Sequence, residues 1–161
     1  MSVEVTTART YSRRRATVAD DAFLCEVYAS TREDLEVVDW PDATRAAFCE
    51  MQWRAQRAGY AASYPDALDD VIEVNGRRAG RVLIGVGTRE IVLVDLALLP
   101  DVRGLGVGRQ VIEDLQREAA RMGRAVRLQV AAGNRASALY ERLGFVASEQ
   151  YGVHTEMTWH P

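Results

Sequence analysis

The spacing of apolar residues divides the start of the chain into a short strand and two helices. The segment from Tyr11 to Ala16 has the pattern of an edge strand. Thr17 is well placed to cap the helix that follows, and the apolar face of that helix contains Phe23, Leu24 and Val27. Residues 1–10 are expected to form a loose terminus, which leaves residues 11–161 for the folded domain.

A longer second helix is predicted from Asp42 to Gly59. Pro41 stands just before it, and a glycine at its end is a common stop signal. Apolar residues recur at helical spacing within it, namely Ala46, Ala47, Phe48, Met51 and Trp53.

The middle of the chain changes to strand patterns. The runs DDVIEV and RRAGRVLIGVG are separated by Asn75-Gly76, which is the strongest short signal for a β-hairpin. The next run, EIVLVDLALL, is apolar almost throughout and is predicted to be a central strand covered on both faces, ending at Pro100. A helix from Gly108 to Met122 follows, closed by Gly123.

The last quarter predicts one buried strand, VRLQVAA, then a short helix from Asn134 to Leu143 that Gly144 stops. Two closing strands are expected at 145–150 and 153–159. The resulting order, β-α-α-β-β-β-α-β-α-β-β, predicts an α/β protein with a mixed sheet. A chain of 161 residues suits a single domain.

Composition and charge narrow the functional classes. Hydrophobic residues make up 48% and charged residues 27% of the chain, as in a soluble globular protein. The net charge of -3 and the dispersed arginines argue against nucleic-acid binding. No apolar run approaches the roughly 20 residues that span a bilayer. Because the first residues also lack the apolar region of a secretory signal, we expect a cytoplasmic protein without membrane attachment.

The two cysteines predict no disulfide and no metal site. Cys25 and Cys49 lie in helix-like stretches beside apolar residues, where a free cysteine behaves as a small hydrophobe. Neither has a histidine or a second cysteine at ligand spacing. No metal is therefore expected.

A glycine-rich turn carries the strongest chemical signal. The sequence LPDVRGLGVGRQVIEDL places Arg103, Gly104, Gly106 and Gly108 between a buried strand and a helix. Glycines let the backbone approach a ligand closely, and the free amides at a helix start favour a pyrophosphate. The guanidinium of Arg103 can add a contact to a diphosphate or a 3′-phosphate. A Rossmann turn would follow the first strand with different spacing, and a Walker loop needs a lysine, which this chain lacks.

Two segments resemble motifs of the GNAT acetyltransferase superfamily. LALLPDVRGLGVGR is similar to its acetyl-CoA-binding motif, R/Q-x-x-G-x-G/A, with Arg103, Gly106 and Gly108 as the matching residues. NRASALYERLGF resembles its N-x-x-A-x-x-L-Y-x-x-x-G-F helix. The resemblance implies the GNAT fold, a single domain with a central mixed, mostly antiparallel sheet flanked by helices. It also implies acetyl-CoA as the cosubstrate.

The resemblance further implies where acetyl-CoA binds. In the family the central strand carries a bulge and splays from the next strand, so that backbone groups near Leu96 and Leu98 pair with the pantetheine amides. Asn134 and Ser137 would contact the cofactor from the short helix. The backbone amides implied to hold the pyrophosphate are those of Val102, Arg103, Gly104, Leu105, Gly106, Val107, Gly108 and Arg109.

Tyr140 is the implied acid, because a phenol near the thioester sulfur can donate to the departing thiolate. Two plainer interpretations stay open at this point. Tyr140 can be a core residue beside Leu139 and Leu143, and Asn134 can serve only as a helix N-cap.

The general base is less clearly marked. Some GNAT enzymes carry a glutamate on the strand after the main helix, but this chain has Gln129 there, which cannot accept a proton. Asp95 is the best replacement, because a carboxylate within an apolar strand is costly to bury without a purpose or a partner. The alternative is that Asp95 pairs structurally with an arginine. His154, Glu73 or a water are further candidates for the base.

Three functional hypotheses follow. The first is an N-acetyltransferase that moves an acetyl group to a primary amine of a small molecule or peptide by direct attack in a ternary complex. The second is a non-catalytic acyl-CoA-binding domain that acts through a protein partner. The third is an enzyme that acts on protein N-termini. Homodimers are common in the superfamily, but no surface pattern in this sequence establishes one.

Overall fold

The computed structural model describes residues 9–161, and its elements follow the predicted order. The expected loose terminus lies almost wholly outside the described residues. The strands are β1 (Tyr11–Arg15), β2 (Leu68–Val74), β3 (Arg77–Val86), β4 (Glu90–Leu98), β5 (Ala125–Ala131), β6 (Val146–Tyr151) and β7 (His154–Trp159). The α-helices are α1 (Asp21–Ala29), α2 (Asp42–Ser63), α3 (Val107–Arg121) and α4 (Ala136–Arg142).

One sheet contains all seven strands, in the order β1-β2-β3-β4-β5-β7-β6. Neighbouring strands are antiparallel except β4 and β5, which are parallel. A parallel pair needs a long crossover, and α3 supplies it. The prediction of a single α/β domain with a mixed, mostly antiparallel sheet is therefore confirmed.

Side-chain alternation along the strands divides the core between the two faces of the sheet. On one face α3 packs through Val111, Ile112 and Leu115 onto residues such as Ile84 and Leu128. On the other face the helices α1 and α2 cover a smaller cluster, whose buried members are Phe23, Leu24, Val27, Trp53 and Val71. Consecutive strand residues point to opposite faces, so an apolar strand such as β4 contributes to both clusters.

Several predicted helix details are wrong. The helix α2 continues past Gly59 to Ser63, because Gly59 does not adopt the left-handed conformation by which a glycine ends a helix. Met51, expected among the apolar residues of α2, is 57% exposed. Met122, the predicted last residue of the third helix, lies just beyond α3 and is 45% exposed. Thr17 starts a short 3-10 turn, Val18–Asp20, before α1, and donates its backbone N–H to the Asp20 carboxylate at 2.9 Å.

Gly80 is where β3 and β4 approach most tightly. A Cβ built there would lie 2.3 Å from the carbonyl oxygen of Ala97 and 2.8 Å from a methyl carbon of Leu98. The oxygen belongs to the backbone, so relief requires β4 itself to move. The close approach holds the last residues of β4 against β3.

We expect Gly80→Ala to lower the free energy of unfolding by about 3 kcal/mol, at the upper end of ordinary overpacking because backbone must shift. The matched control is Gly59→Ala, which should raise it by about 0.5–1 kcal/mol because alanine favours an open helix position. Urea unfolding followed by circular dichroism measures both. A Gly80→Ala protein as stable as the wild type would show that β3 and β4 separate easily.

Candidate functional site

A bulge in β4 opens the sheet between β4 and β5. Leu83 pairs with Asp95 but Ile84 pairs with Leu93, so Val94 is the extra residue on β4. Pairing with β5 extends from Glu90 only as far as Leu93 opposite Leu128. Beyond that point the edge of β4 that faces away from β3 has no neighbouring strand among the described residues. The two strands therefore splay, as the resemblance implies.

A cavity of about 620 Å³ occupies the opening between the strands. The helix α2 contributes one wall, β4 and β5 contribute the floor, and α4 and β7 contribute the remainder. The polar side chains that line it include Tyr60, Tyr64, Asp95, Gln129, Asn134, Tyr140 and His154. Leu96 also lines it, on the part of β4 that has lost its β5 neighbour. The cavity thus brings together the predicted cofactor residues Leu96 and Asn134 with Asp95 and Tyr140. The other predicted cofactor residues, which are Leu98, Ser137 and residues 102–109, do not line it.

The glycine-rich turn leads from the end of β4 into α3. Gly104 and Gly106 have φ of 72° and 83°, the left-handed region that favours glycine, and Gly106 is the N-cap of α3. The first bond within the helix runs from the Gln110 N–H to the Gly106 carbonyl at 3.1 Å. The preceding amides at a helix start have no partner within the helix, which is the arrangement that binds phosphate.

Two of the amides expected to hold a pyrophosphate are already engaged. Val102 donates its N–H to Leu99 at 3.1 Å, and Arg103 donates to Pro100 at 3.3 Å, within a 3-10 turn that Pro100 starts. The sequence did not predict this turn. The amides from Gly104 to Arg109 are the ones left for a ligand at the start of α3.

The Arg103 side chain contacts protein, not the space in front of α3. Its Nε donates to the Leu98 carbonyl at 2.8 Å, and its Nη2 donates to the Ser30 carbonyl at 3.0 Å. Ser30 is the C-cap of α1, where the helix dipole favours a cation. Glu33 lies 3.7 Å from the guanidinium. Arg103 therefore ties β4 to α1, and the predicted side-chain contact to a phosphate is not present in this conformation.

The residues of the short helix are arranged as a cap. The Oδ1 of Asn134 accepts the Ala136 N–H at 2.9 Å, and its carbonyl accepts the Ser137 N–H at 3.1 Å. Asn134 lies six residues before Tyr140, whereas the motif places its asparagine seven before, where this chain has Gly133. Asn134 therefore stabilises the turn just before α4, whose N-cap is Arg135, and it also lines the cavity, so its contact with the cofactor stays a prediction.

Tyr140 is partly packed in the core and also lies on the cavity wall. Its ring packs beside Phe145 with centroids 5.8 Å apart, against the larger core cluster. The residue also lines the cavity. Burial raises the pKa of its phenol above the usual value, and the charge of Asp95 raises it further. The phenol consequently stays protonated at neutral pH.

Asp95 lies at the bulge, where its side chain is 27% exposed. Its nearest cation is Arg81, whose Nη1 is 3.6 Å from the Asp95 Oδ2. Burial raises the pKa of the Asp95 carboxyl, Arg81 lowers it in part, and Asp69 raises it again. Asp95 thus lies within ion-pair distance of an arginine and also lines the cavity, and its role as a base stays a prediction.

The other candidates for the base fall in different places. Glu73 lies on β2, accepts a hydrogen bond from Arg14 at 2.8 Å and does not line the cavity, so the prediction of its role is wrong. Glu73 was a candidate for the base only because it is a carboxylate within a strand. The residue spacing does not predict that Arg14 of β1 lies beside it. His154 and Gln129 are exposed and line the cavity opposite α2.

Arg81 and Asp69 were not singled out by sequence reasoning. Arg81 is 4% exposed on β3 and binds both carboxylate oxygens of Asp69 at 2.8 and 3.0 Å. The signal for Arg81 was present, because an arginine interrupts the apolar run RAGRVLIGV. Its partners come from two other strands, so only the register of the sheet identifies them.

Comparison with known proteins agrees with this geometry. The family model described as an acetyltransferase (GNAT) domain matches residues 69–147, which include the bulge, the glycine-rich turn and Tyr140. No curated protein matches the chain.

In the part of the chain that the structure describes, no helix is long and apolar enough to cross a membrane. Across residues 9–161, no group of three or more His, Cys, Asp or Glu side chains is arranged to hold a metal ion.

Several solved structures share the fold. The PaiA N-acetyltransferase from Thermoplasma acidophilum in complex with coenzyme A superposes with a TM-score of 0.72 at 15% identity, covering 94% of this chain and 99% of that one. An acetyltransferase from Thermus thermophilus gives 0.70 at 19%, covering 94% and 97%. Arabidopsis thaliana Naa50 with the bisubstrate analogue CoA-Ac-MVNAL gives 0.64 at 13%, covering 94% and 99%. Residues 69–147, which contain both motifs, therefore form a GNAT acetyltransferase domain, and the whole chain shares the fold of the solved acetyltransferases.

Proposed function

We propose that this enzyme transfers an acetyl group from acetyl-CoA to a primary amine by direct attack in a ternary complex. The observation that carries the proposal is the cavity at the splay of β4 and β5, with Tyr140 and Asp95 both on its wall. The glycine-rich turn at the end of β4 is close enough along the chain for one ligand to contact the turn and the cavity together.

The cosubstrate site is built mainly from backbone. The free edge of β4 near Leu96 offers peptide groups to the two amides of the pantetheine arm, as an added strand would. The amides from Gly104 to Arg109 receive the pyrophosphate at the positive end of α3. At Leu98 the N–H is offered to the arm, while one lone pair of the carbonyl already accepts a hydrogen bond from Arg103 at 2.8 Å. Asn134, just before α4, and Ser137, in its first turn, border the arm.

The transfer step follows from the positions of Tyr140 and Asp95. The acceptor nitrogen attacks the thioester carbonyl carbon, and the carbon–sulfur bond breaks as the thiolate leaves. Tyr140, which burial keeps protonated, donates a hydrogen bond or its proton to the sulfur. Asp95 accepts the proton that the nitrogen loses, directly or through one water. Its raised pKa makes it a better base than an ordinary surface carboxylate.

The acceptor enters from the side of the cavity that α2 covers. Tyr60, Tyr64 and the carboxylate of Asp95 line this side and suit an amine carrying an apolar or cationic group. A peptide N-terminus is one such amine, and Naa50, which shares the fold, has been solved with a peptide-linked analogue. A small-molecule amine also fits about 620 Å³ shared with the pantetheine end.

The test is thiol release from acetyl-CoA with a panel of small amines and short peptides, alongside calorimetric binding of acetyl-CoA. We expect thiol release above background with at least one amine class and a mass increase of one acetyl group on that amine. Tight acetyl-CoA binding with no thiol release from any amine would instead support the non-catalytic acyl-CoA-binding domain. Competition by peptides against the best small amine separates the two acceptor classes.

A glycine pair tests the phosphate-binding turn. Gly106→Ala should weaken acetyl-CoA binding about tenfold or more, because the left-handed conformation costs an alanine roughly 1–2 kcal/mol and the turn must reorganise. The matched Gly108→Ala should bind acetyl-CoA within about threefold of the wild type, because Gly108 does not have a positive φ and an alanine there is not strained. About 1.4 kcal/mol corresponds to a tenfold change in affinity. A Cβ at Gly108 meets only a Leu98 methyl carbon at 3.8 Å.

Calorimetry of acetyl-CoA binding checks this pair, with unfolding curves as the control for folding. Gly108→Ala is also expected to stabilise the start of α3 by about 0.5–1 kcal/mol. Equal affinities for the two variants would place the pyrophosphate elsewhere than the start of α3.

A further inference from the structure

Three charged side chains form a row across the sheet beneath α2. Asp69 on β2 and Asp95 on β4 are both opposite Leu83 of β3, and Arg81 lies two residues from Leu83 on the same strand. Side chains two residues apart share a face of a sheet, so Asp69, Arg81 and Asp95 all point towards α1 and α2. We name these three residues the charged row.

The two carboxylates of the charged row do not share the arginine equally. Asp69 forms a bidentate pair with the guanidinium, accepting hydrogen bonds from Nε at 2.8 Å and from Nη2 at 3.0 Å. Asp95 is left with Nη1 at 3.6 Å, beyond ordinary hydrogen-bond distance. Two-pronged binding of a carboxylate is the strongest pairing that an arginine offers. Asp69 therefore holds the guanidinium in place and largely neutralises it.

This unequal sharing matters for a proton acceptor. The Arg81 side chain is only 5% exposed, so its charge is weakly screened by water. If Arg81 bound Asp95 in the way it binds Asp69, the Asp95 carboxylate would be stabilised as an anion and would lose most of its basicity. When both aspartates are ionised, the three side chains of the charged row carry a net charge of −1. Because Asp69 pairs with Arg81, this negative charge lies on Asp95, the member that lines the cavity.

We propose that Asp69 is a positioning residue that holds the Arg81 guanidinium away from Asp95 and so preserves Asp95 as a proton acceptor. The proposal rests on the proposed function, because it assumes that Asp95 accepts the proton of the acceptor amine. Asp69 itself does not line the cavity at the splay and makes no contact there.

Other titratable groups face Asp95 and must be separated from the effect of Asp69. The charge of Asp95 raises the pKa of Tyr60 on α2 and of Tyr140 on α4, each mainly raised by burial. The groups packed around Asp95 or across the cavities that it borders are Tyr28, Tyr60, Tyr64, Asp69, Arg81, Arg127, Tyr140 and His154. The raised pKa keeps Tyr60 and Tyr140 neutral near neutral pH, and His154 and Arg127 lie across the cavity on β7 and β5.

The direct test follows the Asp95 carboxyl carbon by ¹³C NMR in protein labelled at aspartate, with the signal assigned through Asp95→Asn. In Asp69→Asn we expect the Asp95 titration midpoint to fall by about one pH unit or more, because Arg81 then turns to Asp95, the other carboxylate that it contacts among the described residues. Asp69→Glu, which keeps the charge, should restore the midpoint to within about half a unit. Asp69→Ser is the second charge-removing variant, measured in the same way.

Asp70→Asn is the matched control for damage to β2. Asp70 is the adjacent residue, lies on the opposite face and pairs with Arg13 and Arg15 at 3.7 and 2.9 Å. It should lower stability without moving the Asp95 midpoint. The pH profile of kcat is recorded for every variant. Its acidic limb, the fall of kcat at low pH, should move with the Asp95 midpoint in Asp69→Asn and stay in place in Asp70→Asn.

The outcomes separate this proposal from the proposed function. An Asp95 midpoint that is unchanged or raised in folded Asp69→Asn and Asp69→Ser overturns the positioning role, even if kcat falls. In a different outcome, the Asp95 midpoint falls in Asp69→Asn while the acidic limb of kcat stays in place. That result supports the conclusion that Asp69 keeps Arg81 away from Asp95, and it overturns Asp95 as the proton acceptor. An equal shift in Asp70→Asn overturns the positioning role as well, since any damage to β2 would then have the same effect.

Discussion

Tyr140→Phe is expected to lower kcat by about a hundredfold, within the range that a single positioned acid or base contributes. Phenylalanine fills the same space beside Phe145, so the ring packing and the fold of α4 are retained. Only the hydroxyl is lost, and with it the donor to the departing thiolate. Acetyl-CoA affinity should stay within about twofold, because backbone groups carry most of the proposed binding.

Thiol-release kinetics give kcat, and calorimetry gives the acetyl-CoA affinity of the same preparation. Tyr151→Phe is the matched control, because Tyr151 is 53% exposed on β6 and does not line the cavity. A wild-type kcat in Tyr140→Phe would remove the acid role and leave Tyr140 as a core residue. A large loss of acetyl-CoA affinity at unchanged kcat would make it a binding residue instead.

The parts of this site that can be predicted from sequence are those fixed by local backbone chemistry. The conformations at Gly104 and Gly106 are ones that side chains resist, so glycines at those positions indicate the turn before any tertiary contact is known. Asn75-Gly76 predicts its hairpin for the same reason, and Asn75 has a φ of 51°. The order of strands and helices likewise follows from the local periods of apolar residues.

The parts that could not be predicted depend on register between strands. The extra residue at Val94 is defined only by which residues of β3 face β4, and no glycine or proline marks it. The same is true of the charged row, where Arg81 reaches partners on β2 and β4. The orientation of Arg103 depends on the nearby C-terminus of α1, a contact between residues far apart in the chain.

Asp95→Asn is expected to lower kcat at neutral pH by about a hundredfold to ten-thousandfold. Asparagine keeps the size and a hydrogen-bonding oxygen but cannot take the proton of the acceptor nitrogen. Asp101→Asn is the matched control, since Asp101 is an exposed carboxylate on the turn beyond β4. Thiol-release kinetics with the best acceptor measure the change in kcat and in the acceptor KM separately.

The pH profile gives the sign of the effect. Burial raises the pKa of Asp95 above the ordinary value of about 3.9, so wild-type kcat should fall as pH drops through this raised value, where the carboxylate takes up a proton. Asp95→Asn should lack this limb. A limb caused by ionisation of the acceptor itself moves when a peptide α-amine, with a pKa near 8, replaces an alkylamine with a pKa near 10. The Asp95 limb should stay in place.

The split between kcat and KM decides which role Asp95 has. A proton acceptor acts in the transition state, so its loss lowers kcat and leaves the acceptor KM almost unchanged. An anchor for a cationic amine binds the ground state and the transition state alike, so its loss raises KM at constant kcat. If kcat and its acidic limb both survive in Asp95→Asn, the proton leaves through a water or His154, and the carboxylate at the bulge serves to pair with Arg81.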